Sequence, residues 1–160
     1  NQEHVEVFTR ADDAWAHTGH IVDSRGGPSE RFGVQTHFDG KNLMIAASNW
    51  AEGTGCILVY KENDSVEGEE IPIDKRWKEV QRISQREGNE CCFGTSFMVN
   101  ENTMAVAACS KMTMGSVIIF KRTGPDAKWA FDGLVLPDPS MGKIRFASDI
   151  ALFDSKLVVR

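Results

Sequence analysis

Cysteine and histidine carry the most reactive side chains of this chain, which has four of each. Structural zinc sites use pairs of closely spaced Cys or His ligands. The cysteines lack that paired spacing and have no histidine nearby, so no metal site is expected. They are either buried free thiols, which pack as small hydrophobes, or members of a disulfide formed in an oxidising compartment. The cysteines are Cys56, Cys91, Cys92 and Cys109.

The histidines do not indicate catalysis. His17 and His20 lie three residues apart on an expected strand, which places their side chains on opposite faces. No Ser/His/Asp order or Cys/His arrangement for nucleophilic catalysis is evident. We therefore expect no catalytic site, no metal and no cofactor in this segment, and we predict that it is not an enzyme.

Composition narrows the class of protein. The chain has 160 residues, 41% hydrophobic and 26% charged, which is typical of one globular domain. Its net charge of −5 argues against nucleic acid or anionic lipid as a partner. No apolar run approaches the roughly 20 residues that span a membrane, so no membrane contact by this segment is expected. Both ends look cut, and we expect a piece of a longer polypeptide.

The chain contains a repeated sequence unit, and the strands of this unit must position any functional site. A Trp is followed 16 or 17 residues later by a Phe, and the Phe is followed by Gly or Ala. A period of about 50–60 residues is typical of propellers and similar arrays. The copies are Trp15–Phe32, Trp77–Phe93 and Trp129–Phe146.

Each repeat predicts four short strands. A strand from the Phe, a short polar turn and a second strand form a hairpin signal. A third apolar strand follows, and a fourth starts at the Trp. Four antiparallel strands are the blade of a β-propeller, so the predicted class is all-β. The Trp and Phe rings are expected to pack between blades, and the Gly to let the inner strand pass close to the crowded axis.

The predicted domain is a single partial propeller over residues 1–160. Its parts are the end of one blade (1–31), a second blade (32–92), a third blade (93–145) and the start of a fourth (146–160). Three and a bit blades cannot close a ring. The missing blades are expected in the same polypeptide, in preference to separate chains.

The motif resembles the FG-GAP repeat, which builds the seven-bladed propellers of integrin α chains. Its elements here are Phe-Gly, a turn, a strand ending in small residues, Gly-x-apolar-aromatic and a Trp. One departure is Phe146-Ala147 in place of Phe-Gly. The resemblance implies an extracellular or cell-surface protein with a role in adhesion. The turns at 39–42, 100–102 and 154–155 are too short and too poor in carboxylates for calcium. Calcium binding is therefore not carried over to this segment, and the resemblance leaves it open for parts of the propeller outside it.

The predicted function is a binding or adhesion module that presents rim loops to a protein partner. Two alternatives stay open: a lectin-like glycan binder, and a structural subunit or scaffold domain of a large surface assembly or enzyme. Trp50 is the one Trp outside the repeat position, and Trp and Arg are enriched at interface centres. The candidate partner-binding residues are Trp50, Arg25, Arg86, Lys111, Met112 and Met114.

Two modifications would fit an extracellular setting. With Val99 opposite Thr103, Cys92 faces Ser110, and a one-residue bulge would bring Cys92 beside Cys109; Cys91 is the other candidate partner of Cys109. Asn63-Asp64-Ser65 is a glycosylation sequon. Free thiols at all four cysteines would favour an intracellular propeller instead.

Overall fold

The chain folds into antiparallel β-sheets, which confirms the all-β prediction. The computed structural model describes residues 3–23, 25–27, 30–63, 71–84, 90–110, 115–141 and 146–160, and of these the side chains of all but residues 90, 91, 109, 110 and 141. Helical structure in the described part is limited to one turn at Trp50–Gly53 and two 3₁₀ turns at Ile73–Lys75 and Pro139–Met141.

The strands form two full sheets between two hairpins. The N-terminal hairpin is β1 (His4–Ala11) and β2 (Ala14–Val22). Sheet I is β3 (Phe32–Phe38), β4 (Asn42–Ala47), β5 (Cys56–Glu62) and β6 (Trp77–Ser84). Sheet II is β7 (Glu90–Cys91), β8 (Phe97–Asn100), β9 (Thr103–Ser110), β10 (Ser116–Lys121) and β11 (Ala130–Val135). The C-terminal hairpin is β12 (Ile150–Phe153) and β13 (Lys156–Val159).

The repeat seen in the sequence recurs in the strand register. The β3–β4, β8–β9 and β12–β13 hairpins pair equivalent residues, and a bulge recurs at one position of the β1–β2, β5–β6 and β10–β11 pairs. The N-terminal hairpin therefore corresponds to the third and fourth strands of a full sheet, and the C-terminal hairpin to the first and second. The equivalent pairs are Phe38–Leu43, Val99–Met104 and Leu152–Leu157, and the bulges follow Val7, Val59 and Ile119.

The sheets stack in chain order with an apolar layer between each pair. Successive residues of β5 alternate between layers because strand side chains point to opposite faces. Ile57 and Val59 face sheet II, whereas Leu58 and Tyr60 face the N-terminal hairpin. The layer between sheet II and the C-terminal hairpin contains Ala105 and Ala107 of β9. Both faces of the inner strands are therefore buried.

The residue after each repeat Phe has a left-handed backbone. Its φ is +83° at Gly33, +85° at Gly94 and +64° at Ala147. Glycine adopts this conformation at little cost, which explains the Phe-Gly dipeptide by local backbone geometry. At Ala147 the same conformation persists with a Cβ present. The conformation is therefore imposed by the fold and is not only permitted by glycine.

Candidate functional site

An apolar groove of about 590 Å³ lies between the N-terminal hairpin and sheet I. One wall is β1, from Val5 to Arg10. Three aromatic side chains and one acidic side chain are among the residues that line the other surfaces. These residues are Trp15, Phe38, Trp77 and Glu62.

The groove lies beside the open edge of β1. Within the described residues, β1 pairs with β2 alone. Its equivalents have two neighbours each, since β5 lies between β4 and β6, and β10 lies between β9 and β11. Thr36 and Phe38 of β3 line the groove. The groove lies beside β1, whose open edge has unpaired backbone donors and acceptors.

The aromatic residues at this edge are more exposed than their repeat equivalents. Phe8 is 53% exposed, whereas the equivalent Tyr60 is 4% exposed. Trp15 is 68% exposed, whereas the equivalent Trp129 is 5% exposed. Contiguous exposed apolar surface marks a site of protein interaction. The groove and the β1 edge together are the candidate functional site.

A histidine cluster occupies one face of the same hairpin. His4 Nε2 and His20 Nδ1 lie 3.2 and 3.3 Å from Glu6 Oε1, and His17 pairs with the other carboxylate oxygen. Desolvation raises the pKa of Glu6, but hydrogen bonds and charge from His20 and His17 outweigh it and hold that pKa below its ordinary value.

The expectation that His17 and His20 face opposite sides of the strand was wrong. The register passes from Val7–Gly19 to Phe8–His17, so Thr18 is an extra residue at a bulge and the alternation shifts by one. Even so, within the described residues no group of three or more His, Cys, Asp or Glu side chains has the geometry to hold a metal ion.

The structure describes two of the predicted rim residues, Trp50 and Arg25, and each has a partner within the chain. Trp50 is half-buried against the layer between the N-terminal hairpin and sheet I, and the Arg82 guanidinium lies 5.2 Å from its ring centroid. Arg25 forms an ion pair with Glu79. The other predicted rim residues, Arg86, Lys111, Met112 and Met114, lie outside the described residues.

A buried ion pair between Asp23 and Arg82 lies beside Trp50. The sequence analysis did not predict it. Arg82 donates to both carboxylate oxygens of Asp23, at 2.7 and 2.9 Å, and also to Glu79. Asp23 is 3% exposed. The partners are 59 residues apart, and no local motif links an Asp after one strand to an Arg within another.

Acid is expected to destabilise the fold through this ion pair. Burial raises the pKa of Asp23 and of Glu79, but hydrogen bonds from Arg82 outweigh it and hold both below their ordinary values. The stabilisation that these two ionised carboxylates provide is complete above their unfolded pKa values of about 3.9 and 4.3. It is lost as pH falls through their lower folded pKa values. Urea unfolding between pH 7 and pH 2 should show the loss. Arg82→Met should reduce the dependence of the free energy of unfolding on pH in this range. An unchanged dependence would show that the ion pair is not its cause.

The cysteines do not form the expected Cys92–Cys109 pair. Cys92 is a free thiol with φ of +67°, and the backbone partner of Cys109 is Cys91. The β8–β9 turn is one residue shorter than predicted, since Asn100 pairs with Thr103. Cys56 is free and buried, and burial raises the pKa of its thiol to about 12. Its thiolate is therefore scarce at neutral pH.

Asn63, the predicted glycosylation site, has a defined internal role. Its side-chain amide donates to the Lys75 carbonyl at 2.5 Å, and its backbone N–H donates to the Arg76 carbonyl at 2.7 Å. These bonds close the loop that leads from β5 toward β6. Asp64 and Ser65 of the sequon lie outside the described residues.

Comparison with known proteins leaves the family open. No family model matches the chain, and no curated protein matches it either. The FG-GAP resemblance therefore remains a resemblance in motif and spacing. Among the helical segments that the structure describes, none has the length and apolar character needed to cross a bilayer.

Proposed function

We propose that this chain is a protein-binding module that accepts an extended strand at the β1 edge, within an FG-GAP-like β-propeller. The observation that carries the proposal is the open edge of β1 beside an aromatic groove. Addition of a strand to an open sheet edge is a recurring mode of peptide recognition. Backbone hydrogen bonds supply affinity in this mode, and alternate side chains supply specificity.

The propeller part of the proposal is supported by the repeated register. Two full sheets and two half sheets stack in chain order with equivalent strand pairs and bulges. Such stacking is the arrangement of propeller blades. The adhesion role and the extracellular setting belong to the same proposal and rest on the resemblance alone.

The contact surface differs from the rim loops that sequence analysis favoured. Trp50 and Arg25 each have a partner within the chain. Phe8 and Trp15, by contrast, present apolar area that no described residue covers. Burial of apolar area is the main favourable term in association, which favours the groove as the contact surface.

The test is titration with a seven-residue peptide copying residues 102–108, the segment that pairs with β10 in sheet II. Binding should change the tryptophan fluorescence of the chain, because Trp15 and Trp77 line the groove. Phe8→Ala should weaken binding about tenfold, since half-burying a Phe contributes about 1.4 kcal/mol. The matched control is Phe131→Ala on β11, a Phe of similar exposure that does not line the groove.

A second control separates strand addition from apolar adsorption. The same peptide N-methylated at alternate residues keeps its side chains and loses backbone donors on one edge. It should not bind measurably. Equal binding of the two peptides, or equal weakening by Phe8→Ala and Phe131→Ala, would overturn the proposal.

A further inference from the structure

We propose that Cys91 and Cys109 form a reversible disulfide that joins β7 to β9. In the antiparallel pair of these strands, Cys91 lies directly opposite Cys109, and Glu90 lies opposite Ser110. Directly opposed residues of an antiparallel pair lie on the same face of the sheet. The site lies within sheet II and is independent of the strand-accepting edge at β1.

The backbone register brings the two residues to the separation that a disulfide requires. Ala107 N–H donates to the Ser96 carbonyl at 2.8 Å, and the Ala107 carbonyl accepts from Gly94 N–H at 2.9 Å. The backbone groups of Ala107 therefore face the side of β9 on which β7 and β8 lie, and those of Cys109, two residues later, face the same side. Opposed residues at such hydrogen-bonded positions have Cα atoms about 5.5 Å apart. The Cα atoms of most disulfides are about 4.4–6.8 Å apart.

The other two cysteines occupy different backbone positions. Cys56 pairs with Ala47 and Ser84 in sheet I and packs in the layer that faces the N-terminal hairpin, whereas sheet II lies on the opposite side of sheet I. Cys92 follows β7 with a left-handed φ of +67°, and its N–H donates to the Gly53 carbonyl at 2.6 Å. Both are free thiols. The fold therefore separates one opposed pair of cysteines from two single ones.

Closing the bond requires a small approach of the two strands. The Cβ atoms of directly opposed residues are about 4.5–5.5 Å apart, and hydrogen-bonded positions have the larger separation, whereas those of a disulfide are about 3.5–4.5 Å apart. Strain of this kind makes a disulfide easier to reduce. Since β7 has only two residues, it can move toward β9 without breaking a long ladder of hydrogen bonds. We therefore expect a bond that small thiols can open.

The oxidant for this site is a small-molecule disulfide, for which glutathione disulfide is the probe. The thiolate of one cysteine attacks a sulfur of glutathione disulfide, forms a mixed disulfide and releases one glutathione. The thiolate of the other cysteine attacks the protein sulfur of that mixed disulfide and releases the second glutathione. In total, the S–S bond of glutathione disulfide is exchanged for one in the protein. Two electrons pass from the protein dithiol to glutathione, and the two cysteine protons end on the glutathione thiols.

The bond constrains a segment that also contacts sheet I. Residues 91–109 include the Phe93-Gly94 dipeptide and β8. Phe93 N–H donates to the Thr54 carbonyl at 3.1 Å, so this segment carries part of the contact between the two full sheets. A cross-link stabilises a fold mainly by restricting the unfolded chain. The closed bond should therefore stabilise sheet II and its contact with sheet I.

The experiment equilibrates the purified chain with mixtures of reduced and oxidised glutathione in the absence of oxygen, and then blocks free thiols with a maleimide in denaturant. Intact mass counts the blocked thiols. All four cysteines should be blocked after reduction, and only Cys56 and Cys92 after oxidation. Cleavage after glutamate separates residues 91–101 from Cys109, because glutamates stand at positions 90 and 101. The bond therefore appears as two linked peptides.

Serine variants identify the members of the pair. Cys91→Ser should lower the equilibrium constant for bond formation about tenfold or more, whereas the matched control Cys92→Ser, at the adjacent position, should change it by less than about twofold. In the Cys92→Ser chain, linked peptides 91–101 and 102 onward can contain only Cys91 and Cys109, so this variant decides the pairing even if Cys91→Ser does not fold. Four blocked thiols at every glutathione ratio, or an undiminished bond in Cys91→Ser, would overturn the proposal.

Urea unfolding shows whether the native fold brings the pair together. The closed bond should lower the equilibrium constant for unfolding about tenfold or more, because the gain from restricting the unfolded chain exceeds the strain in the folded one. By thermodynamic linkage, bond formation with glutathione should be weaker by the same factor in the urea-unfolded chain. Equal constants for bond formation in the folded and unfolded chain would contradict the proposal, since the register of β7 and β9 would then contribute nothing.

Discussion

Gly55→Ala is expected to lower the free energy of unfolding by about 3 kcal/mol or more. Gly55 has φ of +80°, and a Cβ there would lie 2.1 Å from the Phe93 carbonyl oxygen. The contact is with backbone, so no side-chain rotation relieves it. The equivalent Gly115→Ala should behave alike, since its Cβ would lie 2.5 Å from the Phe146 carbonyl oxygen.

The surroundings of Gly55 cannot shift without breaking hydrogen bonds. Phe93 N–H donates to the Thr54 carbonyl at 3.1 Å, and Cys92 N–H donates to the Gly53 carbonyl at 2.6 Å. Gly55 N–H donates to the Trp50 carbonyl at 2.9 Å. These bonds join the loop before β5 to the start of sheet II. The strain therefore has to be absorbed by the interface between the two full sheets.

Two glycines provide matched controls for this prediction. Gly40 has φ of +92° and no atom within 4 Å of an added Cβ, so Gly40→Ala should cost only about 1–2 kcal/mol for the left-handed backbone. Gly124 has neither feature, and Gly124→Ala should be nearly neutral. Urea unfolding at one fixed protein concentration gives all three values. Equal losses at Gly55 and Gly40 would show that the backbone contact contributes nothing.

Periodicity in the sequence predicted the strands well because local patterns encode them. The apolar run of β5 and the polar turns of the β3–β4 and β12–β13 hairpins carry their structure within a few residues. The spacing of Trp and Phe matches the repeat of equivalent strand pairs along the chain. The Phe-Gly dipeptides were recognised as a motif. The physical reason for them, the left-handed φ of the residue after Phe, is visible only in the structure.

Sequence reasoning failed where contacts depend on register or on distant residues. A single extra residue, Thr18, moved the histidines to one face. The pairing register of β9 changes between β8 and β7, which places Cys91 opposite Cys109. The contact between the Arg82 guanidinium and the Trp50 ring also joins residues that are distant in the sequence. None of these features has a signature that a short window of sequence can show.

Arg122→Met is expected to destabilise the fold by about 3 kcal/mol, because it breaks a buried ion pair. Arg122 donates to Asp39 at 2.7 Å and to the Glu101 carbonyl at 3.1 Å, and its guanidinium lies 4.4 Å from the Trp129 ring centroid. Its side chain is almost fully buried. Methionine retains much of the aliphatic stem, so the loss reports mainly the charge and the hydrogen bonds.

Asp39 keeps part of its hydrogen bonding when Arg122 is removed. Its carboxylate also accepts from the backbone N–H groups of Lys41 and Asn42, at 2.9 and 2.6 Å. Burial raises the pKa of Asp39, but these bonds and the one from Arg122 outweigh it and hold the pKa below its ordinary value. Arg122→Met should therefore raise the pKa of Asp39 toward that value and shift acid unfolding to higher pH.

Arg122→Lys is the matched control. Lysine keeps the charge but lacks the planar fork that reaches two acceptors at once, so it should recover only part of the lost stability. A cycle that adds Asp39→Asn to Arg122→Met isolates the pair, and a coupling energy below about 0.5 kcal/mol would show that the ion pair does not hold the two sheets together.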